Sequence, residues 1–307
     1  MYTASQLRRG LANPNLFFRE ANRLYHRRFN YRDYNTDGVD IFREAWDNLL
    51  ILDACRYDMF ERIYYLPGTL ESRVSRGSNT VEFMTGNFSG RELHDTVYVT
   101  ANPQLYRNRD VIDVEFHDVI NVWTEKGWDE ECNTVLPETV TEYAIEAADD
   151  YPNKRLLVHF IQPHYPFVGA DTEFDKDHLA ESGTDNKSLW NQLMEGELQL
   201  GRDRIWELYE DNLRRVLPNI HELIENLEGT SVVTSDHGNM VGERASPFPI
   251  REWGHPRGLY LEELITVPWL TYEQGTRRIT SEQSNTVEQA DSTSNFVEDR
   301  LEDLGYV

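Results

Sequence analysis

Short apolar runs alternate with amphipathic stretches along the chain from residue 48 onward. The apolar runs have the length of buried strands, and they lie at 48–52 (NLLIL), 96–101 (TVYVTA), 155–161 (RLLVHFI), 230–234 (TSVVT) and, more weakly, 266–271 (TVPWLT). The amphipathic stretches predict helices at 80–87, 137–149, 203–227 and 294–304. Strands that alternate with helices favour an α/β fold, with a mostly parallel central sheet flanked by helices on both faces.

The same pattern divides the chain into three parts. Residues 1–40 form a basic, amphipathic segment, residues 41–275 form the α/β domain, and residues 276–307 form a flexible connection followed by a docking helix. Within the domain, the polar stretch 171–201 is either a solvated insertion or a lid over a site. The arginines of residues 1–35 favour a helix packed on the domain, and contact with an anionic membrane or a polyanionic substrate is the alternative.

Composition narrows the classes of partner. The chain has 54 acidic and 30 basic residues and a net charge of −24, which excludes nucleic acid as the expected partner because that binding needs a basic surface. Lysine is rare, and the basic residues are mostly arginine. Such a surface is typical of proteins from salt-loving cells, although an ordinary acidic protein is the alternative. Stability in low and in molar salt distinguishes the two.

The sequence also bears on location. It contains no apolar run long enough for a transmembrane helix, and its N-terminus lacks the apolar core of a signal peptide. Two cysteines, Cys55 and Cys132, are too few for a disulfide framework in a chain of this length. We therefore expect a cytoplasmic protein. The alternative is a cytoplasmic protein that contacts the membrane peripherally through residues 1–35.

Acidic and imidazole side chains recur where the predicted strands end. Ligands of open α/β sheets bind beyond the carboxyl ends of the strands, so these positions are candidates for a site. A mixed set of carboxylates and neutral imidazoles suits zinc, manganese or iron better than calcium. The positions are Asp53, His164, Asp236, His237 and His255.

A candidate nucleophile precedes the helix predicted near residue 80. Ser78 and Thr80 stand before the stretch VEFMTGNF, where a hydroxyl would lie at the positive end of a helix. A metal that lowers the pKa of such a hydroxyl would make it reactive. Ser and Thr are also common helix caps, so a purely structural role is the alternative.

Five stretches together resemble the sulfatase-like branch of the alkaline phosphatase superfamily. They span residues 48–270, and they are LLILDACRYD, SNTVEFMTGNF, HFIQPHYPF, VVTSDHGNMVGER and WGHPRGLYLEELITVPWL. The block Thr-Ser-Asp-His-Gly is the specific one. The resemblance implies an α/β fold with a mostly parallel sheet and metal-dependent cleavage of an anionic ester.

The resemblance also suggests roles for individual residues. The expected metal ligands are Asp53, Thr80, Asp236, His237 and His255; the expected catalytic residues are Thr80, Ser78 and His164; and the expected substrate-binding residues are His164, His255 and Arg56. For Arg56, an ion pair with Asp58 is an equal alternative. His159, inside a predicted strand, is interpreted as a core residue.

Departures from the family pattern limit the chemistry. The chain lacks the Cys-x-Pro-Ser-Arg stretch that matures to formylglycine in sulfatases, so sulfate esters are the poorer candidates. Ala54 and Gln162 stand where many relatives have acids, which favours one metal ion, held by Asp53, Thr80, Asp236 and His237. We expect zinc or manganese rather than calcium or magnesium. Cys55, next to Ala54, is interpreted as a small buried side chain.

The sequence thus predicts a metal-dependent hydrolase or transferase. It would cleave a phosphomonoester or phosphodiester through the hydroxyl of Thr80, or of Ser78, with a covalent phospho-enzyme. The substrate would be an anionic ester, such as one on a glycan or a lipid head group. The rival hypotheses are a sulfatase-like hydrolase acting on a sulfated glycan and a catalytically silent binding module of the same fold.

Overall fold

A seven-stranded sheet forms the centre of the protein, seen in a computed structural model that describes residues 14–29, 31–124, 126–169, 188–198, 200–277, 279–281 and 294–306. Its strands are β1 (Asn48–Leu52), β2 (Thr69–Val74), β3 (Arg91–Thr100), β4 (Val114–Asn121), β7 (Arg155–Phe160), β8 (Gly229–Thr234) and β11 (Thr266–Gln274). The strand order is β2-β11-β8-β1-β7-β3-β4. The neighbours from β8 to β4 pair in parallel, and β11 runs antiparallel to β8 and β2.

Two small antiparallel pairs and the helices complete the described fold. The pairs are β5 (Trp128–Asp129) with β6 (Thr134–Val135), and β9 (Met240–Arg244) with β10 (Arg251–Gly254). The helices are α1 (Pro14–His26), α2 (Tyr57–Ile63), α3 (Thr80–Phe88), α4 (Gln104–Arg107), α5 (Pro137–Asp150), α6 (Leu189–Glu195), α7 (Arg202–Asn226), α8 (Glu262–Ile265) and α9 (Ser294–Asp303), with a 3-10 turn at Ile41–Arg43.

The central strand β1 is buried on both of its faces. Side chains alternate across a strand, so Leu50 and Leu52 pack into a core that includes residues of α5 and α7, while Leu49 and Ile51 pack with residues of α3. All five residues of β1 are buried. A parallel strand that is covered on both faces has a nearly continuous run of apolar residues, which explains the sequence NLLIL of β1.

The predicted fold class is confirmed, with differences at the sheet's edges. The sheet is mostly parallel, and helices cover it on both sides. The strand expected at 96–101 begins earlier, at Arg91, and the weak strand at 266 runs on to Gln274. Strands β2 and β4 were not predicted. Each is largely exposed or half-buried and carries charged side chains, which conceal the apolar signal that a buried strand gives.

The three-part division of the chain stays a prediction. Much of the expected lid, residues 170–187, and much of the expected flexible connection, residues 282–293, lie outside the described residues, as do Arg8 and Arg9 of the basic segment. No helix in the described part of the chain combines the length and apolar character that a membrane span requires. The expected salt adaptation and cytoplasmic location also stay predictions.

Candidate metal and ester-cleaving site

Three adjacent strands deliver the candidate ligands to one end of the sheet. Asp53 follows β1, Asp236 and His237 follow β8, and His159 lies within β7. In the parallel register, Ile51 lies opposite both His159 and Thr234, which brings the three strand ends level with one another. Metal-ligating atoms of Asp53, His159 and Asp236 all lie within 4.8 Å of each other.

The carboxylate of Asp53 is held through one oxygen. Asn102 Nδ2 donates to Oδ2 at 2.7 Å, and the hydroxyl of Tyr306 donates to the same oxygen. The other oxygen, Oδ1, is buried and has no hydrogen-bond partner among the described residues. One oxygen is therefore fixed by neutral donors, and the other faces the site.

Asp236 shows the same division between its two oxygens. The backbone N–H groups of Ala54 and His237 donate to Oδ1 at 3.0 and 2.9 Å. Ala54 adopts a φ of 59°, which turns the chain immediately after Asp53 and aims its N–H at Asp236. Within the described ranges, Oδ2 of Asp236 is buried without a partner. Both carboxylates thus present one free oxygen to the same space.

The imidazoles are oriented by their Nδ1 atoms. His237 Nδ1 lies 2.8 Å from the carbonyl oxygen of Gly238, so it carries the proton and leaves the Nε2 lone pair toward the acids. His237 Nε2 is 3.3 Å from Asp236 Oδ2 and 3.6 Å from Asp53 Oδ1.

His159 completes this group of donors from inside the sheet. Its Nδ1 lies 2.8 Å from the hydroxyl of Tyr98, and its Nε2 lies 3.7 Å from Asp53 Oδ2 and 3.8 Å from Asp236 Oδ2. In the part of the chain that is described, His159 Nε2 has no hydrogen-bond partner. We call His159 Nε2, Asp53 Oδ1 and Asp236 Oδ2 the inward-facing atoms.

Burial shapes the protonation of this group. Burial lowers the pKa of His159 to about 4, which leaves its imidazole neutral near pH 7. Burial, and next the charge of Asp236, raise the pKa of Asp53 well above its usual value. Two buried carboxylates repel each other here, and among the described residues only histidines lie within ion-pair distance of them. The inward-facing atoms therefore fit a divalent metal that prefers nitrogen and oxygen donors, such as zinc or manganese.

Thr80 lies where a nucleophile would be needed. It is the first residue of α3, and the preceding Asn79 caps the helix by accepting from the N–H of Glu82. Thr80 Oγ1 is 3.2 Å from His237 Nε2. The first backbone N–H groups of a helix have no partner within the helix, so those of Thr80 and Val81 favour an anion beside the hydroxyl.

Ser78, the other candidate, is engaged elsewhere. Its hydroxyl donates to Glu82 Oε2 at 2.8 Å and accepts from the N–H of Gly258 at 2.9 Å. The side chain is fully buried and fastens the start of α3 to the loop after β10. The structure thus brings Thr80, and not Ser78, next to the expected metal ligands.

His164 and His255 form a hydrogen-bonded pair beside the ligands. Their Nε2 atoms are 2.8 Å apart. His164 Nδ1 lies 2.6 Å from the carbonyl oxygen of Tyr165 and therefore carries a proton, so His255 Nε2 must donate to His164 Nε2. Burial lowers the pKa of His164 to about 4, and burial with the neighbouring imidazoles of His237 and His164 lowers the pKa of His255. The His255 and His237 rings lie 4.6 Å apart.

A cavity of about 430 Å³ opens in front of these groups. Thr80, His255 and Tyr306 lie at its base. Its other walls include three arginines and two tryptophans, namely Arg19, Arg107, Arg257, Trp190 and Trp253. The cavity combines positive charge with aromatic surface in a chain of net charge −24, which suits an anionic ligand.

Arg56 does not line this cavity. Its guanidinium binds Asp58 at 2.7 Å and Glu243 at 2.9 Å, and it lies 4.7 Å from the centre of the Trp206 ring. It also donates to the carbonyl oxygen of Asn239. The ion pair with Asp58, the alternative expected from the sequence, is present, and the role in substrate binding stays a prediction.

Cys55 is a buried side chain on the turn that carries Asp53. It is fully buried, and its backbone N–H donates to Ser235 Oγ. Burial, followed by the charges of Asp58 and Asp236, raises the pKa of the thiol well above its usual value. A thiol held in its protonated form is a poor nucleophile.

Sequence reasoning missed three residues of the site. His159 is buried, as its interpretation as a core residue implied, but its free nitrogen faces the acids. The signal was an imidazole inside an otherwise apolar run. Asn102 and Tyr306 reach Asp53 from distant segments and carry no recognisable sequence signal.

Several solved structures match about three quarters of this chain. The soluble domain of lipooligosaccharide phosphoethanolamine transferase A from Neisseria meningitidis is 14% identical, with a TM-score of 0.46 over 73% of this chain and 75% of that one. The periplasmic domain of phosphoethanolamine transferase EptC from Campylobacter jejuni is 14% identical, with a TM-score of 0.45 over 73% of this chain and 78% of that one. The periplasmic domain of EptC from Escherichia coli, in a complex with Zn, is 14% identical, with a TM-score of 0.44 over 74% of this chain and 72% of that one.

The chain shares part of its structure with these domains. No family model matches the sequence, and no curated protein sequence matches it. At this level of identity the likeness concerns the fold, and it assigns neither a substrate nor an activity to this chain.

Proposed function

We propose that this protein is a metal-dependent hydrolase or transferase that cleaves a phosphoester through the hydroxyl of Thr80. One observation carries the proposal. Two buried carboxylates and two oriented imidazoles converge on a single space, and the Thr80 hydroxyl borders that space, 3.2 Å from His237 Nε2. A purely structural cluster would instead pair such groups with a cation or with hydrogen-bond donors.

Asp53, Asp236, His237 and Thr80 would hold one divalent ion, with His159 as a further donor within reach. When bound, this ion would balance the two buried carboxylates and lower the pKa of a neighbouring hydroxyl. His255, expected from the sequence as a ligand as well, donates its Nε2–H to His164 and is assigned here to the substrate.

Thr80 would attack phosphorus in line with the leaving oxygen. The Thr80 hydroxyl gives up its proton to solvent, Oγ1 bonds to phosphorus while the bond to the leaving oxygen breaks, and the leaving oxygen takes up a proton from solvent. Water or an acceptor hydroxyl then attacks phosphorus and loses its proton, while the bond from phosphorus to Thr80 breaks and Oγ1 takes up a proton. The N–H groups at the start of α3 would meet the charge on the other phosphoryl oxygens.

The cavity supports an ester with a charged or polar leaving group. Arg19, Arg107 and Arg257 line it, and each also lies within ion-pair distance of an acidic side chain. Trp190 and Trp253, which are 6% and 8% exposed, also line the cavity. An anionic ester on a glycan or a lipid head group fits this lining better than a bare apolar ester.

A substrate panel tests the proposal. Purified protein is loaded with zinc or with manganese and assayed with an aryl phosphate, a bis-aryl phosphate and an aryl sulfate. We expect turnover of at least one phosphate ester and a phosphoryl group on Thr80 in acid-quenched samples analysed by mass spectrometry. Turnover of the sulfate alone would favour the sulfatase-like rival, and the absence of metal binding would favour a silent binding module.

A surface of exposed aromatic rings supports peripheral membrane contact as a second proposal. Phe17, Tyr25, Phe29 and Tyr31 are 66%, 62%, 78% and 92% exposed, and Arg28 is exposed among them. Aromatic and arginine side chains together suit the interface of an anionic bilayer. We expect co-sedimentation with phosphatidylglycerol vesicles that weakens in the double variant Phe29→Ser, Tyr31→Ser. Equal binding by both proteins would refute this contact.

A further inference from the structure

The segment that contains α9 docks firmly on the core. Val297, Leu301 and Leu304 are 3%, 0% and 0% exposed and belong to the main apolar cluster. The guanidinium of Arg300 lies 4.1 Å from the centre of the Trp128 ring and 2.9 Å from Glu130. These contacts fix the end of α9 relative to the sheet, although it is far in sequence from the strands that carry the ligands.

The turn after α9 brings Tyr306 to the metal ligands. Gly305 has a φ of 75°, a conformation that glycine adopts without strain, and the N–H of Tyr306 donates to the carbonyl oxygen of Leu301 at 2.9 Å. This geometry closes the helix and leaves the tyrosine ring as part of the cavity wall.

Tyr306 makes two kinds of contact in the site. Its hydroxyl donates to Asp53 Oδ2 and accepts from Asn102 Nδ2 at 2.8 Å. Its ring stacks on the His164 imidazole, with centres 4.8 Å apart and planes 6° apart. The hydroxyl thus acts on an expected metal ligand, and the ring acts on the histidine that pairs with His255.

We propose that Tyr306 is a positioning residue, which holds Asp53 with Oδ1 turned to the metal and holds His164 in line with His255. This inference rests on the proposed function for its effect on turnover, but not for its effect on metal binding. A carboxylate gripped at one oxygen loses little freedom when a metal binds the other, so the hydroxyl should strengthen metal binding.

Two variants separate the contacts of the hydroxyl and the ring. Tyr306→Phe removes the hydrogen bond to Asp53 and keeps the ring on His164, whereas Tyr306→Leu removes both. Zinc affinity is measured by competition with a chromophoric chelator, and kcat and KM are measured with the best phosphate ester of the panel. Tyr65→Phe, which removes a phenol hydroxyl from a side chain that is 59% exposed, is the matched control.

We expect Tyr306→Phe to weaken zinc binding about 10-fold, within the range found when a partner of a metal ligand is lost. Tyr306→Leu should bind zinc as weakly as Tyr306→Phe does. Its kcat should be several-fold lower than that of Tyr306→Phe, with KM changed little. Unchanged zinc affinity in Tyr306→Phe, or a kcat that rises when the ring is removed, would overturn the inference. If the wild-type protein cleaves no ester, the proposed function fails, while the zinc titration still decides the role of the hydroxyl.

Discussion

Two polar clusters begin in the same turn after β1, only three residues apart, and they are built in opposite ways. Around Arg56, the positive charge is shared by Asp58 and Glu243, and Nε, Nη1 and Nη2 all donate hydrogen bonds. Around Asp53, acids face each other and imidazoles. The first cluster is complete within the protein, and the second is the one that we propose a cation completes.

The pKa shifts follow the same contrast. Burial opposes the charge of Arg56, but hydrogen bonds and charges from Asp58 and Glu243 outweigh it and raise the pKa of the guanidinium. At Asp53, burial and the charge of Asp236 act together and raise the pKa of the carboxyl. A buried charge that its neighbours stabilise indicates a structural role, and one that they destabilise indicates a place for a ligand.

The largest effect is expected from Asp236→Asn. The amide keeps the shape of the side chain but removes one of the two charges that a metal would balance. We expect zinc binding to be lost and turnover to fall at least about 10³-fold, because both depend on the ion. At a zinc concentration 100 times the wild-type Kd, the wild-type protein should gain about 2.7 kcal/mol of stability, and the variant should gain none.

Without metal, the same variant should behave in the opposite way. Asp236→Asn removes repulsion between two buried carboxylates, so its thermal midpoint in chelator should equal or exceed that of the wild type. A lower midpoint in chelator, with zinc binding intact, would mean that Asp236 is a structural acid like Asp58.

Thr80→Ala should separate chemistry from metal binding. Loss of the attacking hydroxyl is expected to reduce turnover by at least about 10³-fold. Zinc affinity, measured by chelator competition, should change only a few-fold, since Asp53, Asp236 and His237 remain. Ser78→Ala is the matched control, and it should keep its turnover. If Ser78→Ala is the inactive variant, the nucleophile is wrongly assigned.

Arg56→Met tests the cluster around Arg56, in which the charges are paired within the protein. The change leaves Asp58 and Glu243 without their cation, and we expect it to lower the free energy of unfolding by about 3 kcal/mol. Urea denaturation measures this loss. Zinc affinity and KM should match the wild type, because the guanidinium does not line the cavity. A rise in KM at unchanged stability would restore Arg56 to the substrate site.

Cys55→Ala should have the smallest effect. The side chain is small and buried, and its thiol is held protonated, so we expect a stability loss of about 1 kcal/mol and unchanged kcat. Thermal unfolding and an assay at saturating ester measure both quantities. An inactive Cys55→Ala protein would identify the thiol, and not Thr80, as the nucleophile.

Local patterns in the sequence are enough to predict the fold class and the polar residues that follow the strands. The strands β1, β7 and β8 are buried on both faces, so each appears as an apolar run, and the polar residue after each run marks the carboxyl edge of the sheet. The sequence alone therefore predicts that Asp53, Asp236 and His237 lie together. The edge strands β2 and β4 could not be predicted, because exposed strands lack that pattern.

The tertiary structure decided which atoms of these residues face one another. Hydrogen bonds to residues far away in sequence place Thr80 beside His237, hold Ser78 against Gly258 and bring Glu243 to Arg56. Tyr306 reaches Asp53 across 253 positions of the chain. Periodicity and composition report burial and local conformation, whereas hydrogen bonds between distant segments exist only once the core has packed, and they determine which oxygen, nitrogen or hydroxyl remains free for a ligand.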